Sequence, residues 1–311
     1  MTTLSSVISI NGELFSREDA KISVFDHGFL YGDGVFEGIR IYEDKIFRAE
    51  RHIARLFRSA KVIDLTIGCT PEDLIEEISK VARAWAERNH VNLRETEDPL
   101  YVRLVVSRGT GDLGLDPRKC LKPTILVIVD RLKLYPKEFY ENGLTLITTA
   151  IRRNLPDALP PQVKSLNYLN NVLAKLDANR AGAAEAIFLN HQGYVVEATA
   201  DNLFIVYDGV LTTPPVTDGA LPGITREAVL ELARELGISA REWHITLAEL
   251  FSAEECFVTG TAARVVPVTT IDGRKIGTGK PGRITQQLME AFVELTRRDG
   301  VCIYNENEVC A

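Results

Sequence analysis

The sequence predicts an α+β protein of two domains, and three observations carry that expectation. The first 130 or so residues read as β-hairpins interleaved with two long amphipathic helices. A polar and aromatic stretch, "DRLKLYPKEFYENG" (Asp130 to Gly143), then breaks the pattern. Beyond it come many short strands separated by Gly turns and interrupted by helices, the pattern of a sheet curled towards a barrel. The expected division is a small N-terminal domain over 1–130, an interdomain loop over 131–142 and a larger C-terminal domain over 143–311. A chain of 311 residues has ample material for a buried core in each.

"VISINGELF" (Val7 to Phe15) alternates around Asn11-Gly12, a strong hairpin signal. "VFEGIRIYEDKIFR" (Val35 to Arg48) reads as two further strands around a Glu43-Asp44 turn. An amphipathic helix follows from about Arg51, with Ile53, Leu56, Phe57 and Ala60 on one side. A second runs from Pro71 to Asn89, where Leu74, Ile75, Ile78, Val81, Ala82 and Trp85 recur at three and four and Pro71 suits the first turn. Strands "LYVRLVVS" and "PTILVIV" flank the long loop "RGTGDLGLDPRKC". In the second half, "LTLITTAI", "EAIFL", "GYVVE", "NLFIVYDGVLTT", "ECFVTG" and "RVVPVTTIDG" read as strands, with helices near 166–181, 225–236 and 284–298. No internal repeat or low-complexity segment is present.

Composition narrows the function. Apolar residues at 45% and charged residues at 25% are ordinary for a globular chain. A net charge of −7 is a poor footprint for nucleic acid, which requires a basic patch to displace counterions. Arg48, Arg51, Arg55, Arg58 and Lys61 cluster at helical spacing, which by itself reads as one solvated face. The five cysteines are odd in number and form no CxxC pair or His-interleaved set, so reduced thiols in a cytoplasmic protein and no metal site are expected. Cys302 and Cys310, near the C-terminus, could pair, against the grain of that compartment. The N-terminal "MTTLSSVISINGE" has neither a basic start nor a long apolar core, and "ILVIV" is too short to span a membrane.

Several residues invite chemistry. In "PPQVKSLNYLNNVLAK", Lys164 stands where a Pro-rich run meets a helical pattern. Leu166, Leu169, Leu173 and Leu176 form a stripe expected to pack inward, which leaves Lys175 solvated on the opposite side. A desolvated lysine at the start of such a helix can form a Schiff base with a carbonyl, although most lysines there are surface charges. "ALPGITREAVLELARELG" opens a helix with Gly223, Ile224 and Thr225, where free N–H groups and a hydroxyl suit a phosphate, or where Thr225 is a plain cap. "TGTAAR" (Thr259 to Arg264) is a second small-residue turn able to bind an anion. Glu197 ends an apolar strand, five residues before Asn202, and can hold a protonated ring nitrogen. Along "VFEGIRIY", alternation sets Phe36, Gly38 and Arg40 on one face and Glu37 and Ile39 on the other. Tyr101 and Arg103 in "LYVRL" follow the same rule, and an arginine among core residues implies an ion pair or a substrate carboxylate. A Schiff-base lysine, an acid for a ring nitrogen and anion-binding turns are together what pyridoxal 5′-phosphate needs.

At these residues the sequence resembles a known family. "EATADNLFIVYDGVLTTPPVTDGALPGITR" (Glu197 to Arg226) is similar to the signature of the fold-type IV pyridoxal-phosphate enzymes. Together with "HGFLYGDGVFEGIRIY", "RHIARL", "LYVRL", "VKSLNYLNNVLAK" and "TGTAA", in that family's order over nearly the whole chain, it resembles the branched-chain amino acid aminotransferases. The resemblance implies a small sandwich-like domain and a larger pseudo-barrel domain, and sites completed by a second copy in a homodimer. It implies that Lys164 holds the cofactor and shuttles a proton, that Glu197 pairs with the pyridine N–H and that Tyr168 bonds the phenolic oxygen. Arg55, Ile224, Thr225 and Thr261 would take the phosphate, with Gly223 admitting it. Thr261 and Ala262 would hold the substrate α-carboxylate, while Phe36, Gly38, Arg40 and Tyr135 shape the pocket. Arg103, with Tyr31 and Tyr101, would accept the distal carboxylate of glutamate. The implied reaction passes the amino group of L-leucine, L-isoleucine or L-valine to 2-oxoglutarate. A D-amino acid or (R)-amine transaminase on the same scaffold is the alternative, with "FEGIR" and "YVR" favouring the L-branched-chain type. Ala198, Ala200 and Arg264 depart from the family's usual residues, so a shifted substrate range accompanies the expectation.

Overall fold

The computed structural model describes residues 5–96, 98–132 and 135–304. Cys310 lies outside them; Cys69, Cys120, Cys256 and Cys302 are free thiols. The chain divides into two compact units. The first runs to Leu132 and takes in Val163–Asn167 and the chain from Thr296 on; the second is the remainder. The segment bearing Lys164 belongs to the first unit although its sequence neighbours belong to the second.

In the first unit the strands are β1 (Val7–Ile10), β2 (Glu13–Phe15), β3 (Gly34–Tyr42), β4 (Lys45–Ile46), β5 (Leu100–Ser107) and β6 (Thr124–Arg131). Among the described residues they form one sheet in the order Val301–Cys302, β4, β3, β5, β6, β1, β2. Asn11 and Gly12 both take positive φ, as the expected two-residue hairpin turn demands. Helix α1 (His27–Tyr31) was not foreseen; its Gly-rich sequence hides a short turn capped by Asp26. Helices α2 (Ala49–Val62) and α3 (Pro71–Asn89) cover one sheet face. Thr70 and Asp73 cap α3 reciprocally with Pro71 in the first turn, which is why its start was legible. The core joins Ile39, Ile41, Val102, Leu104 and Val127 of the sheet to Ile53, Leu56, Leu74, Ile78 and Trp85 of the helices.

The second unit holds β7 (Leu144–Arg152), β8 (Glu185–Leu189), β9 (Val195–Ala198), β10 (Asn202–Tyr207), β11 (Val210–Thr213), β12 (Ala240–Glu242), β13 (Glu255–Gly260), β14 (Arg264–Ile271) and β15 (Arg274–Lys275). The order β10-β13-β14-β7-β8-β9 closes on itself, because β9 also pairs with β10 through Glu197 and Asn202. That ring is the barrel expected from the short strands, and closure removes its open edges. Leu146, Ile187, Leu203, Ile205, Val258 and Val266 lie in its core. Helices α4 (Lys137–Asn142), α5 (Leu169–Arg180), α6 (Ile224–Glu235) and α7 (Leu247–Ser252) accompany it, and α8 (Arg283–Arg298) follows. Helix α4 falls in the segment expected to be a loop.

Three sequence expectations are corrected. The leucine stripe does not face inward: Leu169, Leu173 and Leu176 are 69%, 42% and 42% exposed. Helix α5 instead buries Asn171, Ala174 and Ala178, and its alanines cluster with Ala186, Phe188 and Val196. Small residues let the helix backbone lie close to a sheet that has no room for leucine. Lys175 is not simply solvated but pairs with Glu185 of β8 at 2.7 Å. The basic row of α2 is likewise not one solvated face, since Arg48 and Arg55 are buried.

Candidate active site

In the first unit, antiparallel pairing places Gly38 opposite Arg103 and Arg40 opposite Tyr101. Phe36, Gly38, Arg40, Tyr101 and Arg103 therefore share the sheet face turned away from α2 and α3, as alternation predicted. The Arg103 guanidinium lies 4.5 Å from the Phe36 ring centroid and 5.5 Å from that of Tyr101. Lys164 Nζ lies 4.7 Å from the Phe36 centroid, so the expected lysine and the expected pocket wall are neighbours. The backbone of Lys164 is held at both ends: its N–H donates to Ser59 Oγ at 3.2 Å and its carbonyl accepts from Phe36 N–H at 2.9 Å. Gly38 leaves space that Tyr101 uses, for a Cβ there would lie 2.3 Å from the Tyr101 hydroxyl. Buried Arg40 donates to the Pro99 carbonyl at 3.3 Å and lies 5.8 Å from the Tyr101 ring. Tyr31 closes α1 elsewhere in this unit, where its hydroxyl accepts from Gly114 N–H at 2.9 Å and its ring meets His27 edge-on.

On the opposite face of β3 stands Glu37, fully buried. Arg55 donates to it from Nε at 2.7 Å and from Nη2 at 2.8 Å, and His52 Nδ1 lies 2.8 Å from Oε2. Burial alone would raise the Glu37 carboxyl; the Arg55 charge and the bonds from Arg55 and His52 outweigh it and hold it far below the carboxylate range. Burial lowers the His52 pKa, Glu37 opposes this in part, and the charges of Arg55 and Lys164 reinforce it. His52 is thus neutral at pH 7 and donates through Nδ1. The unfolded chain takes up a proton at His52 near pH 6.5 while the folded chain resists it. Stability held here is full above that pH and declines as pH falls below it; the Glu37 share persists until the pH falls below the ordinary carboxylate range. Thermal melts at about pH 7.5 and 5.5 check this: the wild type is expected to lose more stability over the interval than His52→Gln.

The second unit gathers a different set at one end of its barrel. Glu197, at the end of β9, receives Arg153 Nη2 on Oε1 at 2.9 Å, and Asn202 Nδ2 at 3.1 Å and Leu221 N–H at 2.9 Å on Oε2. Arg153, near the end of β7, is buried and is further held by Asn171 Oδ1 at 3.1 Å and the Phe188 ring at 5.4 Å. Asn202 is the pivot, pairing with both Glu197 and Thr259 across the strands. Gly223 packs so closely that a Cβ would fall 2.0 Å from Asn202 Oδ1, and at Gly260 one would fall 1.9 Å from Asp201 Oδ1. A side chain at either position would have to displace the Asn202 amide or the Asp201 carboxylate. Gly223 brings the N-terminus of α6, with Ile224 and Thr225, to Asn202 and offers no side-chain cap, so the first N–H groups of the helix are left for an anion. Gly260 leads into the Thr261–Ala262 turn, closed by Arg264 at φ 66°. Tyr168 stands at the N-cap position of α5. Tyr135 stacks edge-on with Phe139, and burial together with the charges of Asp201 and Glu185 pushes its phenol well up.

Taken unit by unit, the second offers an acid for a ring nitrogen beside an uncapped helix N-terminus and the first a lysine beside an aromatic wall, each a group that pyridoxal phosphate uses. The sequence reading overlooked Arg153, Glu37 and His52. Their partners lie 15 to 44 positions away on other elements; the visible signal for Glu37 was a carboxylate at an inward position between valine and isoleucines.

The Amino-transferase class IV family model matches residues 34–271. A Methanocaldococcus jannaschii protein, provisionally named a branched-chain-amino-acid aminotransferase, is 50% identical over 96% of this chain and 99% of its own. The crystal structure of the Escherichia coli branched-chain amino acid aminotransferase superposes with a TM-score of 0.88 at 35% identity, covering 94% of this chain and 95% of that one. The structure of the Thermobaculum terrenum branched-chain amino acid aminotransferase in its pyridoxal-phosphate form has a TM-score of 0.80 at 29% identity, covering 94% of each chain.

Proposed function

The chain belongs to the class IV aminotransferase family, and on that premise we propose that it transfers the amino group of L-leucine, L-isoleucine or L-valine to 2-oxoglutarate with pyridoxal 5′-phosphate. The observation that carries the reading is Glu197, held as a carboxylate by Arg153, Asn202 and Leu221 N–H beside the uncapped start of α6. When bound, the cofactor supplies the electron sink that acidifies a substrate Cα–H.

Each residue then has a task. Lys164 Nζ holds the cofactor carbonyl carbon and moves a proton at the substrate Cα. Glu197 keeps a proton on the ring nitrogen, and Tyr168 donates to the phenolic oxygen. Arg55, the Ile224 and Thr225 N–H groups behind Gly223, and Thr261 hold the phosphate. Thr261 and Ala262 take the α-carboxylate. Phe36 and Tyr101 offer an apolar wall for a branched side chain, Gly38 and Arg40 share their sheet face, and the family resemblance gives Tyr135 a part in shaping the same pocket. Arg103, stacked on that same wall, receives the distal carboxylate of glutamate, with Tyr31 as its partner in an assembled enzyme. One surface thereby serves an apolar and a charged substrate in alternate half-reactions.

Gly38→Ala is expected to lower kcat/KM for both L-leucine and L-glutamate by about 10–100-fold, because Tyr101 must move to admit the Cβ. Its melting temperature is expected to change little. A homodimer in the cytoplasm is part of the proposal: Phe29, Leu115, Leu121 and Leu169 are large, apolar and exposed, and the described thiols are free. Among the described residues no helix is long and apolar enough to cross a membrane. Initial rates with L-leucine, D-alanine and (R)-1-phenylethylamine, each with 2-oxoglutarate, test the assignment. L-leucine is expected to lead; inactivity with L-leucine beside turnover of either other donor overturns it.

A further inference from the structure

Glu37 is an unusual occupant of its site. It stands on the core-facing side of β3 with Val35, Ile39 and Ile41, all fully buried. An unpaired carboxylate there would cost several kcal/mol, so its partners must be held firmly. Both come from one face of α2: His52 and Arg55, three residues apart. Arg55 meets the carboxylate edge-on through Nε and Nη2, the bidentate geometry that fixes a guanidinium in plane as well as position. His52 Nε2 has no hydrogen-bond partner among the described residues, so the bond to Glu37 is what orients that ring. Four residues beyond Arg55, Ser59 accepts the Lys164 N–H. The same helix face thus sets the Arg55 head group and the Lys164 backbone.

We propose that Glu37, braced by His52, is the positioning residue for Arg55 and through it for the phosphate of the cofactor. This rests on the proposed function, in which Arg55 takes that phosphate. With His52 neutral, Glu37 balances the Arg55 charge, so the guanidinium can wait in a buried place before any anion arrives. The bond pair fixes where the guanidinium points, whereas the Lys164 backbone is held by Ser59 Oγ and Phe36 N–H, bonds that a change of the Glu37 side chain leaves in place. Loss of Glu37 therefore weakens the hold on the cofactor and spares the reacting groups once the cofactor is in place.

The test uses Glu37→Gln and Glu37→Asp in the full-length protein. Glu37→Asp keeps the charge and draws the carboxylate back by one methylene, so it retains the buried ion pair if Glu37→Gln fails to fold. Pyridoxal phosphate dissociation constants come from equilibrium dialysis, folding from near-ultraviolet circular dichroism, and kcat and KM from assays at saturating cofactor. The expected result is a dissociation constant raised about tenfold or more in each folded variant, with kcat and both KM values within about twofold of wild type at saturation. A folded variant that binds the cofactor as tightly as wild type overturns the assignment, as does one whose kcat stays low at saturation, which marks a general structural role. Wild-type protein that takes up no pyridoxal phosphate overturns the functional reading and this inference with it.

Discussion

Lys164→Ala is expected to abolish transamination, lowering kcat by about 10⁴-fold or more. Two contributions combine. General acid–base transfer at a reacting carbon is worth roughly 10²–10⁴-fold, and the covalent hold on the cofactor is lost as well. The fold should be untouched. The bonds that fix this position are made by the Lys164 backbone, to Ser59 Oγ and from Phe36 N–H, and alanine keeps both. The side chain contributes a cation 4.7 Å from the Phe36 ring, a half-buried contact whose loss alters stability little. Thermal melts of the cofactor-free proteins should therefore superimpose within a few degrees while turnover disappears. A variant that keeps a tenth of wild-type activity would remove Lys164 from the chemistry.

Glu197→Gln is expected to damage both stability and rate. The carboxylate accepts from Arg153, Asn202 and Leu221, and the amide replacement can offer an acceptor to only part of that set. The larger cost is electrostatic. Arg153 is buried and would be left without its counter-charge, which typically costs about 3–5 kcal/mol. The chemical step suffers separately, since a neutral amide does not favour a proton on the ring nitrogen; about 10²–10³-fold in kcat is expected from losing one such preorganised group. Glu197→Asp keeps the charge and should recover part of the stability with less of the rate. A Glu197→Gln variant that melts like wild type would show that Arg153 does not depend on this acid.

Much of this was legible in the sequence because it is local. The Asn11-Gly12 turn, the Pro71 start of α3 and the short strands of the barrel follow from adjacent residues and their periodicity. Family motifs marked Lys164, Glu197 and the two anion turns, and within the second unit Glu197, Thr259 and Gly223 lie against Asn202. What was not legible depends on contacts far apart in the chain. Arg153 lies 44 residues before Glu197, and Glu37 meets His52 and Arg55 only once α2 lies on the sheet. Helix α5 misled for another reason. Periodicity identifies two faces but assumes that the larger residues turn inward; here alanines face the sheet and leucines face out. The converse assumption, that charges turn to water, failed for Arg55, whose burial is compensated by the carboxylate opposite it.

The central claim is that Lys164 holds pyridoxal phosphate and that an L-branched-chain amino acid displaces it. Borohydride reduction of the holoprotein followed by peptide mapping reads this directly. The account predicts a phosphopyridoxyl label on Lys164. No label is expected when the holoprotein is incubated with L-leucine, without acceptor, before the reduction, and about one equivalent of the branched-chain 2-oxo acid is then released per chain. Labelling of a different lysine, or a Lys164 label that forms despite prior incubation with L-leucine but not after prior incubation with D-alanine or (R)-1-phenylethylamine, would contradict that claim.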